Sequence, residues 1–104
     1  MDDHDFQTGI LLKSISINVN AFGLWEMLLG TKRCLVKITG CTLQDLIVAL
    51  NDRCTGTLAS EVLMADGGLD PKFKIFVNGN VSQSLSTKLT DGDEVLLFSV
   101  IDGG

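Results

Sequence analysis

Positive charge is scarce in this chain. Eight lysines and arginines stand against thirteen aspartates and glutamates, a formal net charge of −5. Nucleic-acid phosphates want a basic surface, so a nucleic-acid partner is not expected. The acidity serves solubility and suits partners with basic docking surfaces. Histidine is nearly absent too. His4 stands alone, with no Ser–His or Cys–His pair for nucleophilic catalysis and no second ligand at a metal-binding spacing. Three cysteines, Cys34, Cys41 and Cys54, make neither an even disulfide framework nor a zinc pattern, and they read as buried reduced thiols. There is no Gly-Lys-Ser/Thr and no dinucleotide-binding glycine fingerprint between a strand and a helix. No apolar run approaches bilayer length. The opening Met1-Asp2-Asp3-His4-Asp5 is acidic where a signal peptide is basic. The expectation is a cytoplasmic protein with no metal, no bound cofactor and no membrane contact.

What is present suffices for one packed domain. The chain has 104 residues, 45% of them hydrophobic, enough for a single core. Residues 1–12 read as an acidic, flexible N-terminal extension and 13–104 as the domain. Ser14 to Ala21 alternates strictly, with Ile15, Ile17, Val19 and Ala21 on one side, as a half-buried strand does. Gly23 to Gly30 breaks the alternation and reads as a short helical turn ended by Gly30. Its Trp25 and Met27 read as packing residues. Arg33 to Thr39 is a second strand. Thr42 with Asp45 forms a capping pattern ahead of Leu43, Leu46, Ile47, Leu50 and Cys54. Those five make one apolar stripe at helical spacing, and Gly56 stops the helix. A shorter helix is expected within Thr57 to Met64, and a loop at 66–71. Phe73 to Val77 is a strand turning at Asn78-Gly79, with a short strand near Val81. Asp91 and Asp93 read as turn chemistry, not as acid–base groups.

The last strand, Glu94 to Ile101, is apolar on both faces. Such a run means either a central strand covered on both sides by helix and loop, or burial on one face with Phe98 and Val100 in a docking patch on the other. Phe98 and Val100 are expected at least partly outside the core, against a partner. It runs straight into Asp102-Gly103-Gly104. A tail without Cβ atoms can thread a narrow cleft and present an unhindered carboxylate. Five residues reach roughly 17 Å at full stretch. The element order predicts an α+β fold: a mixed sheet, its first two strands antiparallel neighbours and its last strand central, with one main helix packed across it.

These residues together resemble a known family. Phe76-Val77-Asn78-Gly79, then Leu89-Thr90-Asp91-Gly92-Asp93-Glu94-Val95, then a hydrophobic stretch into Gly103-Gly104 look like the MoaD/ThiS family of ubiquitin-like β-grasp sulfur carriers. The helical insert from Gly23 to Gly30 is closer to the MoaD branch, the small subunit of molybdopterin synthase. This chain has Leu24-Trp25-Glu26 where that branch commonly carries a basic residue. It has Ser99-Val100-Ile101-Asp102 where the approach to the tail is commonly small and proline-bearing.

The resemblance implies a β-grasp fold and a mechanism. A ubiquitin-activating-type adenylyltransferase would use ATP to adenylate Gly104. A persulfide donor would then supply sulfur to give a thiocarboxylate. The acceptor would sit on the large catalytic subunit of molybdopterin synthase or an equivalent. Gly103 would keep the channel uncrowded, and Phe98, Val100, Ile101 and Asp102 would meet the partner. The chain would be a non-catalytic sulfur-carrier subunit. Other pathways stand open beside this one: thiamine, an amino acid or a tungsten-type cofactor. So do a conjugating protein modifier and a plain interaction module whose glycines are incidental.

Overall fold

The computed structural model describes residues 14–54, 56–82 and 84–99. The N-terminal extension expected at 1–12 lies outside them. Eight elements follow in chain order: β1 (Ser14–Ala21), α1 (Leu24–Leu29), β2 (Arg33–Thr39), α2 (Leu43–Arg53), α3 (Leu58–Val62), β3 (Phe73–Val77), β4 (Asn80–Ser82) and β5 (Glu94–Ser99).

The strands make one five-stranded sheet in the order β2-β1-β5-β3-β4. β1 pairs antiparallel with β2, Ser14 opposite Thr39 and Asn20 opposite Arg33. It pairs in parallel with β5, Val19 opposite Val95 and Ala21 opposite Leu97. β3 lies antiparallel to β5 on its other side, Phe73 opposite Ser99 and Val77 opposite Val95. The last strand is therefore central, as its apolar run predicts.

The core lies between the sheet and α2. Ile17, Val19, Ile75, Val95 and Leu97 point down from the strands onto Leu43, Leu46, Ile47 and Leu50, all buried. Each such side chain contributes about 1.5–3 kcal/mol by leaving water. The helix begins where the sequence says it should. Thr42 Oγ1 accepts from Asp45 N–H at 3.2 Å. Asp45 Oδ2 accepts from Thr42 N–H at 3.1 Å and Cys41 N–H at 3.0 Å. The Thr42 hydroxyl, opposed by partial burial and helped by the N–H groups of Thr42 and Cys41, holds the Asp45 carboxyl below its ordinary range. At the far end Gly56 N–H closes on Asn51 O at 2.8 Å.

Asp93 does turn chemistry, as expected, whereas the Asp91 side chain bonds across to β1, because the turn lies beside that strand. Asp91 Oδ1 accepts from Ser16 N–H at 2.7 Å. Asp93 accepts from Thr90 N–H at 2.8 Å and from Asn78 Nδ2 at 3.0 Å. Desolvation pushes the Asp93 carboxyl up, but the hydrogen bonds from Asn78 and Thr90 outweigh it and hold the group below its ordinary range.

Two expectations are corrected. Met27 is 76% exposed, because it lies on the outer side of a six-residue helix whose inward position is taken by Trp25. The thiols are not buried: Cys41 is exposed, and Cys34 and Cys54 are half-buried. Cys34 sits on the edge strand, and Cys54 caps the end of α2, where cover is incomplete.

Candidate functional site

β5 is the element that leads to the tail, and its two faces differ. Val95, Leu97 and Ser99 are buried against the helix side, while Glu94 and Phe98 are exposed and Leu96 is half-buried. Among the described residues no element covers the sheet's outer face here. Across it, Leu96 sits opposite Phe76 on β3 and Asn20 on β1. Phe76 in turn sits opposite Val81 on β4, and Phe98 sits opposite Lys74. Strand neighbours on one face lie within side-chain reach. The pairing therefore gathers Leu96, Phe98, Phe76 and Val81 into one apolar area with Lys74 at its margin. Phe98 is 43% exposed. A shallow groove of about 570 Å³ runs along Leu96, Phe76, Asn20 and Asn78.

Phe98 is thus outside the core, on the uncovered face, where the sequence placed it. The other expected site residues, Val100, Ile101, Asp102, Gly103 and Gly104, lie outside the described residues. Among the described residues no group of three or more His, Cys, Asp or Glu side chains could hold a metal ion. No helix among them is long and apolar enough to cross a membrane.

One feature of the site is not legible from the alternation alone. Ser99 is 2% exposed, the one buried polar residue among those described. Its Oγ accepts from Leu24 N–H at 2.8 Å. The Trp25 indole donates to the Phe98 carbonyl at 3.1 Å. Trp25 is read correctly as a packing residue and is fully buried, but this bond is an additional role. The signal was present in one form. Ser99 shares the parity of Val95 and Leu97, and a serine at a core position requires a partner.

A family model described as the ThiS family matches residues 27–104. An Archaeoglobus fulgidus protein provisionally assigned as a sulfur carrier is 39% identical over 61 residues, 56% of this chain and 69% of that protein. The crystal structure of SAMP1 from Haloferax volcanii, a small archaeal modifier protein, superposes with a TM-score of 0.73 at 28% identity. It covers 86% of this chain and 99% of that one. A Pyrococcus furiosus protein provisionally named molybdopterin converting factor subunit 1 superposes with a TM-score of 0.66 at 26% identity, over 84% and 99% of the two chains. The shared architecture is the ubiquitin-like β-grasp expected from the sequence.

Proposed function

The chain belongs to the ThiS family, and from that membership we propose that it is a sulfur carrier activated at the carboxylate of Gly104. The observation that carries the reading is the span of the family match, which runs through Gly103 and Gly104. The exposed Phe98 beside the tail fits a protein that docks by its sheet face while its tail enters another active site.

The chemistry is a group transfer in balanced steps. A carboxylate oxygen of Gly104 attacks the α-phosphorus of ATP, and pyrophosphate leaves. The terminal sulfur of a persulfide then bonds to the acyl carbon, and AMP leaves. A second thiol cleaves the sulfur–sulfur bond. The thiocarboxylate remains on Gly104 and a disulfide on the donor side. An adenylyltransferase supplies the ATP site, and the acceptor enzyme supplies the catalytic groups. The carrier contributes a surface, a reach and a reactive end. Gly103 lets the backbone pass where a side chain would crowd it.

The finer reading is a molybdopterin pathway, with sulfur passing to a substrate held on a large synthase subunit. The Pyrococcus likeness and the helical insert support it. A second reading is a protein modifier, whose Gly104 forms isopeptide bonds with lysines. The SAMP1 likeness supports that one.

One experiment separates them. ATP–pyrophosphate exchange is measured with a purified activating enzyme from the same organism, followed by intact mass after sulfur loading. A terminal gain of sulfur in place of oxygen supports the carrier, and a ladder of heavier conjugates supports the modifier. Deleting Gly104, or adding a residue after it, is expected to abolish exchange while the melting curve stays unchanged, because a chain end carries little stability. Normal exchange in either variant would overturn the reading.

A further inference from the structure

The ladder that holds β5 is not equally long on its two sides. Toward β3 it continues to Ser99, opposite Phe73. Toward β1 it stops at Leu97, opposite Ala21, with Phe22 N–H closing on Leu97 O at 2.8 Å. Beyond that point α1 takes over. Leu24 N–H reaches Ser99 Oγ at 2.8 Å, and the Trp25 indole reaches the Phe98 carbonyl at 3.1 Å. The Trp25 ring is fully buried. It meets the Phe73 ring edge to face, centroids 5.3 Å apart at 74°. Gly23 completes the contact. It adopts φ 67° and ψ −133°, and a Cβ there would collide with Ser99 Oγ. The backbone of the insert is pressed against the serine as closely as a glycine allows.

We infer that Ser99 and Trp25 are positioning residues that lock the last strand to the helical insert where the tail begins, so that Gly104 is presented from a fixed root. The inference rests on the carrier reading above. Its physical content is how the end of the last strand is held. With the lock in place, Phe98 and Ser99 are held from both sides, by β3 through Phe73 and by α1 through Leu24 and Trp25. Without it the stretch beyond Leu97 is held on its β3 side alone. A root held on one side alone starts the chain to Gly104 from more positions and lowers the fraction of encounters in which its carboxylate is aligned for attack. Packing alone does not require a hydroxyl at this parity, since Val95 and Leu97 fill the equivalent positions with apolar side chains.

The test uses the full chain as Ser99→Ala and, separately, Trp25→Phe, which keeps an aromatic ring and removes the indole donor. Hydrogen exchange at the Leu24 amide in both variants, and at the Trp25 indole in Ser99→Ala, reports the lock directly. Steady-state adenylation with ATP and the purified activating enzyme reports its use. The expected result is faster exchange and a fall in kcat of about 10-fold or more, with KM for the carrier unchanged because the docking face is intact. Inserting one glycine after Ile101 should cost the wild type more activity than it costs Ser99→Ala, whose root is already slack.

Faster exchange with unchanged kcat would overturn the inference and leave the contact purely structural. Equal losses on insertion in the two backgrounds would do the same. If Ser99→Ala fails to fold, Trp25→Phe decides by exchange at the Leu24 amide and by kcat. A wild-type chain that is never adenylated removes the carrier reading and the inference with it. A wild type adenylated normally beside variants with unchanged kcat removes the inference alone.

Discussion

The two helices that flank β2 begin in opposite ways. α2 is capped by its own sequence: Thr42 and Asp45, three residues apart, satisfy each other's backbone N–H groups. α1 begins at Gly23, which has no side chain to offer. Its first N–H is satisfied by Ser99, 75 residues further along the chain. A local cap forms with the first helical turn. A remote cap exists only after the sheet has assembled and β5 has docked beside β1. Six residues are too few to hold a helix alone, so α1 and the end of β5 order together or not at all. The local cap serves the core, while the remote one ties α1 to the last described residue of β5.

The strongest way to break this contrast is at Gly23. Alanine there meets both a backbone conformation closed to L residues and the Ser99 hydroxyl, and the expected loss is about 3 kcal/mol in a denaturant melt. The control is Gly30 at the other end of the same helix, left-handed at φ 78° with open space where a Cβ would go. Gly30→Ala meets only the left-handed backbone penalty, about 1 kcal/mol. Equal losses at the two glycines would mean that the close approach to Ser99 contributes nothing.

The local cap is the smaller target. Thr42→Ala should destabilise by about 1 kcal/mol, and acid should sharpen the result. Asp45 is held below its ordinary value of 3.8 chiefly by the Thr42 hydroxyl. Its folded pKa is depressed, so its contribution to stability is fully present above about pH 4. That contribution falls away as the pH drops through the lower native value. Thr42→Ala removes the main cause of the depression. The variant should therefore lose less stability than the wild type between pH 4 and the acid limit. Parallel acid limbs in the two proteins would show that the capping hydroxyl does not set the Asp45 carboxyl.

The same contrast explains what the sequence discloses. The capping pattern and the stripe Leu43, Leu46, Ile47, Leu50 lie within nine residues, and one element's periodicity reveals both. The alternation of β1 and the double-sided run of β5 likewise reveal each strand's place, because side-chain parity is set locally. Ser99's partner cannot be found that way, since nothing near Ser99 in sequence indicates that a glycine 76 residues earlier will lie against it. Met27 misleads because six residues are too few for a helical stripe to distinguish inside from outside. At the site, Phe98 follows from parity. Val100, Ile101, Asp102, Gly103 and Gly104 lie outside the described residues, so their roles rest on the tail's composition and the family match.

Phe98 offers the finest division, because its backbone and side chain belong to different regions. Its carbonyl accepts from the buried Trp25 indole, while its ring stands 43% exposed beside Leu96 and opposite Lys74. Phe98→Ala keeps the carbonyl and removes only the ring. The stability change should therefore be the smallest of the series, within about 0.5 kcal/mol, as for a surface position away from caps and core. Affinity for the activating enzyme should fall by more than that, since aromatic side chains at the centre of an interface commonly contribute 1 kcal/mol or more, roughly five-fold in Kd or greater. Titration calorimetry beside a denaturant melt measures both. A large loss of stability with unchanged affinity would assign the ring to the interior after all. It would also move the docking surface to some other part of the molecule.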